Sequence, residues 1–183
     1  GTEGSIIFEN ATTEAMRIKS TGKIGVGTST PASIVEIQDG LTTTGAVLTL
    51  STKETTVVAN DVLGKIDFKA PLEASGTDAI LPGASITALA SDTFDTDNNE
   101  TDLVFSTASS DAEHGSATSG ATFERMRINS GGKVLVAGLT ASEIIITDAN
   151  KGLTSAAVAT YPSLAELIHV KGVTSAIQTQ IGT

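Results

Sequence analysis

The densest chemistry in this sequence is acidic. In DTFDTDNNETD the side chains of Asp92, Asp95, Asp97, Glu100 and Asp102 crowd into one short stretch, and clustered carboxylate oxygens are what calcium takes as ligands. Asp95, Asp97 and Asn99 are spaced like the opening of an EF-hand loop. Two requirements of that loop then fail: Glu100 stands where the sharp turn needs glycine, and Ser106 stands where the bidentate glutamate belongs. We read a solvated acidic turn and expect neither a bound metal nor a cofactor.

The only histidines are His114 and His169. His114, in DAEHGSATSG, reads as an exposed loop residue, with a receptor contact as its functional alternative. His169 lies beside an apolar stripe near the C-terminus, where three copies about an axis could gather an ion. Leu167 and Val170 fit the stripe better, so exposure on its flank is the expectation. Glycoside hydrolysis needs paired carboxylates about 5 to 10 Å apart and a cleft with aromatic platforms, which five Phe, one Tyr and no Trp hardly supply. No G-x-S-x-G, H-E-x-x-H or lysine-bearing phosphate loop is present. No catalytic residue is assigned, and the chain is not read as an enzyme.

Arg17 and Arg127 each follow a methionine, and this coincidence leads from side chains to the elements that hold them. EAMRIKSTGKIGVGT (Glu14 to Thr28) aligns without gaps on ERMRINSGGKVLVAG (Glu124 to Gly138) at an offset of 110, with eight of fifteen positions identical. Met16, Arg17 and Ile18 thus recur as Met126, Arg127 and Ile128. Upstream, Ile6 to Phe8 mirrors Leu103 to Phe105, and 13 extra residues in the second copy read as a loop insertion. Repetition of both arginines favours a cross-strand or interchain ion pair with Glu14 or Glu124 over a glycan or carboxylate contact.

Each copy has the pattern of a β-hairpin. Met126 and Ile128 alternate with Arg125 and Arg127, the period of a strand with one wet face. Asn129-Ser130-Gly131-Gly132 supplies residues that tolerate positive φ, and Lys133 to Val136 returns. Further strands are expected at Ala46 to Thr52, Gly64 to Lys69, Ser85 to Ala90 and Thr101 to Thr107, with a hairpin from Ile144 through TDANKG to Leu153. Ala70 to Gly83, Ser91 to Glu100 and Ser106 to Ala121 read as loops, where a β scaffold would carry contacts. After Tyr161-Pro162 the pattern becomes helical: Leu164, Leu167, Val170, Val173, Ile177 and Ile181 are spaced 3, 3, 3, 4 and 4. The 3-4-4 step favours a straight or slightly right-handed bundle, and the β-branched Ile177 and Ile181 lean toward three or four strands. Gly172 is placed to divide the helix, with Thr174 or Ser175 near the start of its second piece.

Composition limits the alternatives. Thr, Ala, Ser and Gly (28, 23, 18 and 18 residues) make up nearly half of the 183-residue chain. Aromatic rings, which usually dominate core energetics, are scarce, so thin layers completed by partner chains are expected. A net charge of −10 opposes nucleic acid and anionic membranes. There is no cysteine for a disulfide scaffold and no apolar run long enough to span a membrane. GTEGS lacks a signal pattern, and the chain is read as an excised or processed segment of something longer.

ERMRINSGGKV, GKIGVGTSTP (Gly22 to Pro31), LTLSTKETTVVANDVLGKIDF (Leu48 to Phe68) and LIHVKGVTSAIQTQI resemble recurrent segments of bacteriophage tail fibre and related tail appendage proteins, especially the large fibres of marine and cyanobacterial phages. The resemblance implies a mainly β, elongated homotrimeric fibre of short β-hairpin or meander units, followed by a short C-terminal three-stranded α-helical coiled coil. Its implied work is to hold receptor-binding regions for host attachment, on the virion and outside the cell. The implied partners are two further copies of the chain, other fibre or tail proteins, and a host surface glycan or protein receptor. We divide the chain into a hairpin repeat unit (1–31), a second β unit with long loops (32–140), a β-hairpin connector (141–160) and a helical trimeric connector (161–183). The trimer core is assigned to Leu164, Leu167, Val170, Val173, Ile177 and Ile181. A trimeric bacterial surface adhesin stalk is the competing reading, and a polysaccharide-depolymerising tailspike a more distant one.

Overall fold

A computed structural model describes residues 4–41, 43–75, 78–109, 122–171 and 173. The chain is mainly β and divides into two units, Gly1–Leu50 and Ser51–Thr183. In the first, strands β1 (Ile6–Asn10), β2 (Thr13–Ile18), β3 (Ile24–Val26) and β4 (Val35–Ile37) form one sheet in chain order. The first three are antiparallel and β4 joins β3 in parallel. In the second unit β5 (Val62–Lys69), β6 (Pro82–Ala90), β7 (Thr101–Ala108), β8 (Thr122–Ile128) and β9 (Val134–Val136) make an antiparallel meander, and β10 (Ile145–Thr147) pairs with β11 (Leu153–Ser155).

The sequence repeat is a repeat of hydrogen bonds. β1-β2-β3 recurs as β7-β8-β9: Ile6, Ile7 and Phe8 face Ile18, Arg17 and Met16, while Leu103, Val104 and Phe105 face Ile128, Arg127 and Met126. Both ladders then shift by a bulge directly after the phenylalanine, which brings Glu14 and Glu124 round toward their arginines. The turns match as well. The Lys19 N–H donates to the Lys23 carbonyl at 2.8 Å and the Asn129 N–H to the Lys133 carbonyl at 2.9 Å. Gly22 and Gly132 hold φ of 81° and 74° there, a region that only glycine enters at no steric cost.

After the hairpin the two copies part. The offset of 110 continues past the aligned stretch and sets Ile34 to Ile37 on Ile144 to Thr147, so β10 is the sequence counterpart of β4. In the first copy the Ile24 N–H donates to the Ile34 carbonyl and the Gln38 N–H to the Val26 carbonyl, tying β4 to β3. In the second, the Ile144 carbonyl accepts from the Ala156 N–H and the Asp148 N–H donates to the Gly152 carbonyl. The same edge of the strand is spent on β11.

Two glycines account for the difference. The link from Gly27 to Ile34 is short for a parallel connection, which usually takes a dozen or more residues. A Cβ on Gly25 would lie 2.2 Å from the Thr28 carbonyl oxygen, and one on Gly27 (φ 71°) would lie 2.0 Å from that of Gln38. Their counterparts are Leu135 and Ala137, whose side chains exclude so tight a return. The first copy also has Lys23 Nζ donating to the Ala32 carbonyl at 2.7 Å and the Ala32 N–H donating to Glu36 Oε2 at 2.6 Å.

Several expectations change. Ala46 to Thr52 forms no strand; its alternation suits one, but a strand exists only with a ladder partner, and none of the described residues pairs with it. Proposed loop Ala70 to Gly83 contains a 3-10 turn, Asp78–Ile80, and already enters β6 at Pro82. Proposed loop Ser106 to Ala121 gives its first residues to β7, and 110–121, with His114, lie outside the described residues. The helix is short: α1 (Leu164–Leu167) continues as a 3-10 turn, Ile168–Val170, and Lys171 is extended at ψ 124°. Spacing by three suits that turn, since a 3-10 helix eclipses side chains i and i+3. Gly172, Thr174, Ser175, Ile177 and Ile181 lie outside the described residues.

Candidate functional site

The repeat sorts its side chains onto two unlike faces. In the five-stranded sheet, two rows of register partners cross every strand: Gly64, Ala88, Leu103, Ile128 and Val134, then Ile66, Ile86, Phe105, Met126 and Val136. A third begins Phe68, Ala84 and Thr107. The four-stranded sheet repeats the design with Ile6, Ile18, Ile24 and Val35, and with Phe8, Met16, Val26 and Ile37. Met16, Ile18, Met126 and Ile128 therefore belong to apolar faces, and Arg17 and Arg127 to the reverse sides.

These apolar rows are open. Val134 is 62% exposed, Phe68 53%, Ile66 45%, Ile6 59% and Phe8 52%. The buried apolar residues among those described are Ala90, Val104 and Ala156, and none of the largest side chains is fully buried. Burying one large apolar side chain is worth about 1.5–3 kcal/mol, and at the exposed positions of these rows a large part of that stabilisation is left unrealised.

The reverse face carries the ion pairs, in register with Val62, Leu89, Val104 and Leu135. In the first copy the Arg17 guanidinium meets the Glu14 carboxylate through Nε and Nη2. In the second, Arg127 Nε and Nη2 bond the two oxygens of Glu124 at 2.9 and 2.6 Å. Its Nη1 reaches Asp102 Oδ2 at 2.5 Å. Asp102 is buried, and its other oxygen accepts from the Ser130 N–H at 2.9 Å. Burial alone would raise the Asp102 carboxyl, but Arg127, the Ser130 N–H and the Ser91 hydroxyl together hold it below its ordinary value. The hydrogen bond from Arg127 lowers Glu124, and that from Arg17 lowers Glu14. Arg127 is raised, by Glu124 first and Asp102 second. Both arginines thus form ion pairs in the repeat, but each with a glutamate of its own strand and not across strands or chains as expected; the cross-strand partner is Asp102, in the second copy.

The acidic stretch does not gather its carboxylates. Asp92 Oδ1 accepts from the Thr93 N–H, Asp95 Oδ1 from the Asp97 N–H, and Glu100 Oε2 from the Ser130 hydroxyl. Asn98 ties the turn from within, donating to the Thr93 carbonyl and accepting from the Glu100 N–H. Asp102 turns one oxygen to Arg127 and, through the other, shares Ser130 with Glu100. Among the described residues, no three His, Asp or Glu side chains converge as a metal-binding group.

At the other end, Ser163 and Glu166 form a capping box: the Glu166 N–H donates to Ser163 Oγ at 3.2 Å and the Ser163 N–H to Glu166 Oε2 at 2.8 Å. Sequence reasoning overlooked this Ser-x-x-Glu signal although its spacing is diagnostic. Leu164, Val170 and Val173 are exposed (51, 42 and 38%), Leu167 is half-buried and His169 is exposed. A cleft of about 430 Å³ lies beside them, lined in part by Tyr161, Pro162, Leu167 and Val170. Among the described residues, no helix is long and apolar enough to cross a membrane.

Each of the two larger sheets thus has one face that carries the ion pairs and one apolar face with exposed large side chains. No protein-family model matches the chain, and no curated protein matches it.

Proposed function

We propose that this chain is a structural segment of a bacteriophage tail fibre: a homotrimer whose β units and C-terminal helical connector keep three chains in register. It positions receptor-binding regions for host attachment, outside the cell and on the virion, beside other fibre or tail proteins. One observation carries the reading: large apolar side chains stand exposed in the rows of both sheets, while among the described residues Val104 is the one large apolar side chain that is buried. A sheet with one apolar face must bury it against another layer, and identical copies supply that layer by symmetry. The repeat, the helical stripe and the resemblance of the quoted segments to tail fibre proteins support the same assignment. Sedimentation velocity with mass determination tests it. A trimer with a high frictional ratio is expected, and a compact monomer would overturn it.

A further inference from the structure

We infer that Asp39–Gly40 is a site of spontaneous backbone modification: in the folded chain the Asp39 carboxyl and the Gly40 nitrogen close a succinimide, which water reopens largely to isoaspartate. The inference does not depend on the fibre assignment.

Three observations select it. First, this is the single Asp-Gly or Asn-Gly step in the sequence. Ring closure requires the nitrogen of the following residue to reach the side-chain carbonyl carbon, and glycine, with no Cβ, obstructs that approach least. Second, the two groups are already together. The Gly40 N–H donates to Asp39 Oδ1 at 2.7 Å, it lies beyond the end of β4 and its ladder, and both residues are exposed. Third, the same contact recurs with a different neighbour. Asp92 Oδ1 accepts from the Thr93 N–H, also at 2.7 Å and also exposed, but there a β-branched side chain crowds the nitrogen. Asp95 and Asp148 accept from amides two residues on, too far along the chain for a five-membered ring.

The neutral carboxyl is the reacting form. The Gly40 nitrogen bonds to Asp39 Cγ, the bond from Cγ to its hydroxyl breaks, and the amide proton leaves with that hydroxyl as water. A second water then cleaves one of the two bonds from the ring nitrogen to a carbonyl carbon. Cleavage at Cγ restores aspartate. Cleavage at the Asp39 backbone carbonyl leaves the chain running through the side chain, one methylene longer, with a free α-carboxylate. The change falls directly after Gln38, whose N–H ties β4 to the Val26 carbonyl of β3. It also falls at a glycine so closely packed that a Cβ would lie 2.4 Å from the Thr44 carbonyl oxygen, where an added methylene finds little room.

The test incubates the intact protein in mildly acidic buffer, once folded and once in denaturant, and then digests it. Electron-transfer mass spectrometry distinguishes isoaspartate from aspartate at each position. In the folded protein isoaspartate should accumulate at Asp39 severalfold faster than at Asp92, and about as fast as in denaturant. The Asp39→Glu variant, whose longer side chain would have to close a larger ring, should show no isomerised backbone at that position. Equal accumulation at Asp39 and Asp92 overturns the inference, since glycine then makes no difference. Accumulation at Asp39 that is severalfold slower in the folded protein than in denaturant, or absent, overturns it as well, because the fold then keeps the two groups from reacting.

Discussion

Arg127 on β8 reaches Asp102 on β7, and its counterpart Arg17 has no such partner because Ser5 stands where the second copy has Asp102. Otherwise the two arginines are held alike, each forked onto a glutamate three residues earlier. The added aspartate joins neighbouring strands and ties down the following turn through the Ser130 N–H. Asp102→Asn keeps the shape and removes the charge from a buried hydrogen-bonded pair. Such a change costs about 1–3 kcal/mol, and thermal melting should show a fall of several degrees. Glu14→Gln, at a carboxylate more exposed than Asp102 and bonded within its own strand, should shift melting less.

The same carboxylates set a pH dependence. Asp102, Glu124 and Glu14 are all held below their ordinary values in the folded chain. A depressed carboxyl contributes stability above its unfolded pKa, about 3.9 for Asp and 4.3 for Glu, and that contribution is lost as pH falls through the folded value. Melting temperature should therefore be level above about pH 5 and decline below about pH 4. Asp102→Asn should make the acid decline shallower. An unchanged slope in that variant would remove Asp102 from the account.

Glycines 25 and 27 should decide whether β4 stays on β3. Giving the first copy the residues of the second, Gly25→Leu with Gly27→Ala, places side chains against the Thr28 and Gln38 carbonyls. The Gln38 N–H, bonded to the Val26 carbonyl at 2.8 Å, should then lose its protection from hydrogen exchange. The amides of β1 and β2 should keep theirs. Retained protection at Gln38 would show that β4 is held by its own side chains and not by the space the glycines leave.

How much of this was legible follows from the range of each interaction. The hairpins were, because alternation and turn glycines act over a few residues, and the gapless repeat made each copy a check on the other. The identities of the glutamate–arginine partners were, through the repeat, but their meeting along one strand was not, because it follows a bulge that alternation does not record. β4 was missed because its pairing depends on room beside Gly25 and Gly27, which no periodicity records. Asp102 was grouped with its acidic neighbours in sequence, whereas its partner stands on the next strand, 25 residues away. Ala46 to Thr52 failed the other way: its alternation is that of a strand, but alternation cannot supply the second strand of a ladder.

The C-terminal stripe and the sheet face should contribute unequally to association. The stripe offers six positions, Leu164, Leu167, Val170, Val173, Ile177 and Ile181, in a segment whose described helix ends at Val170. The sheet offers nine apolar side chains in its two complete rows, on a backbone already held by ladders. At about 1.5–3 kcal/mol for each large side chain fully buried, the sheet is the larger source. Ile177→Asp with Ile181→Asp should thus lower the melting temperature yet leave a trimer in sedimentation at micromolar concentration. Ile66→Glu, Leu103→Glu and Val134→Glu together place carboxylates on exposed positions of the face and should yield monomers whose strand content is unchanged by circular dichroism. A monomeric stripe variant beside a trimeric face variant would reverse the order and make the helical connector the principal clamp.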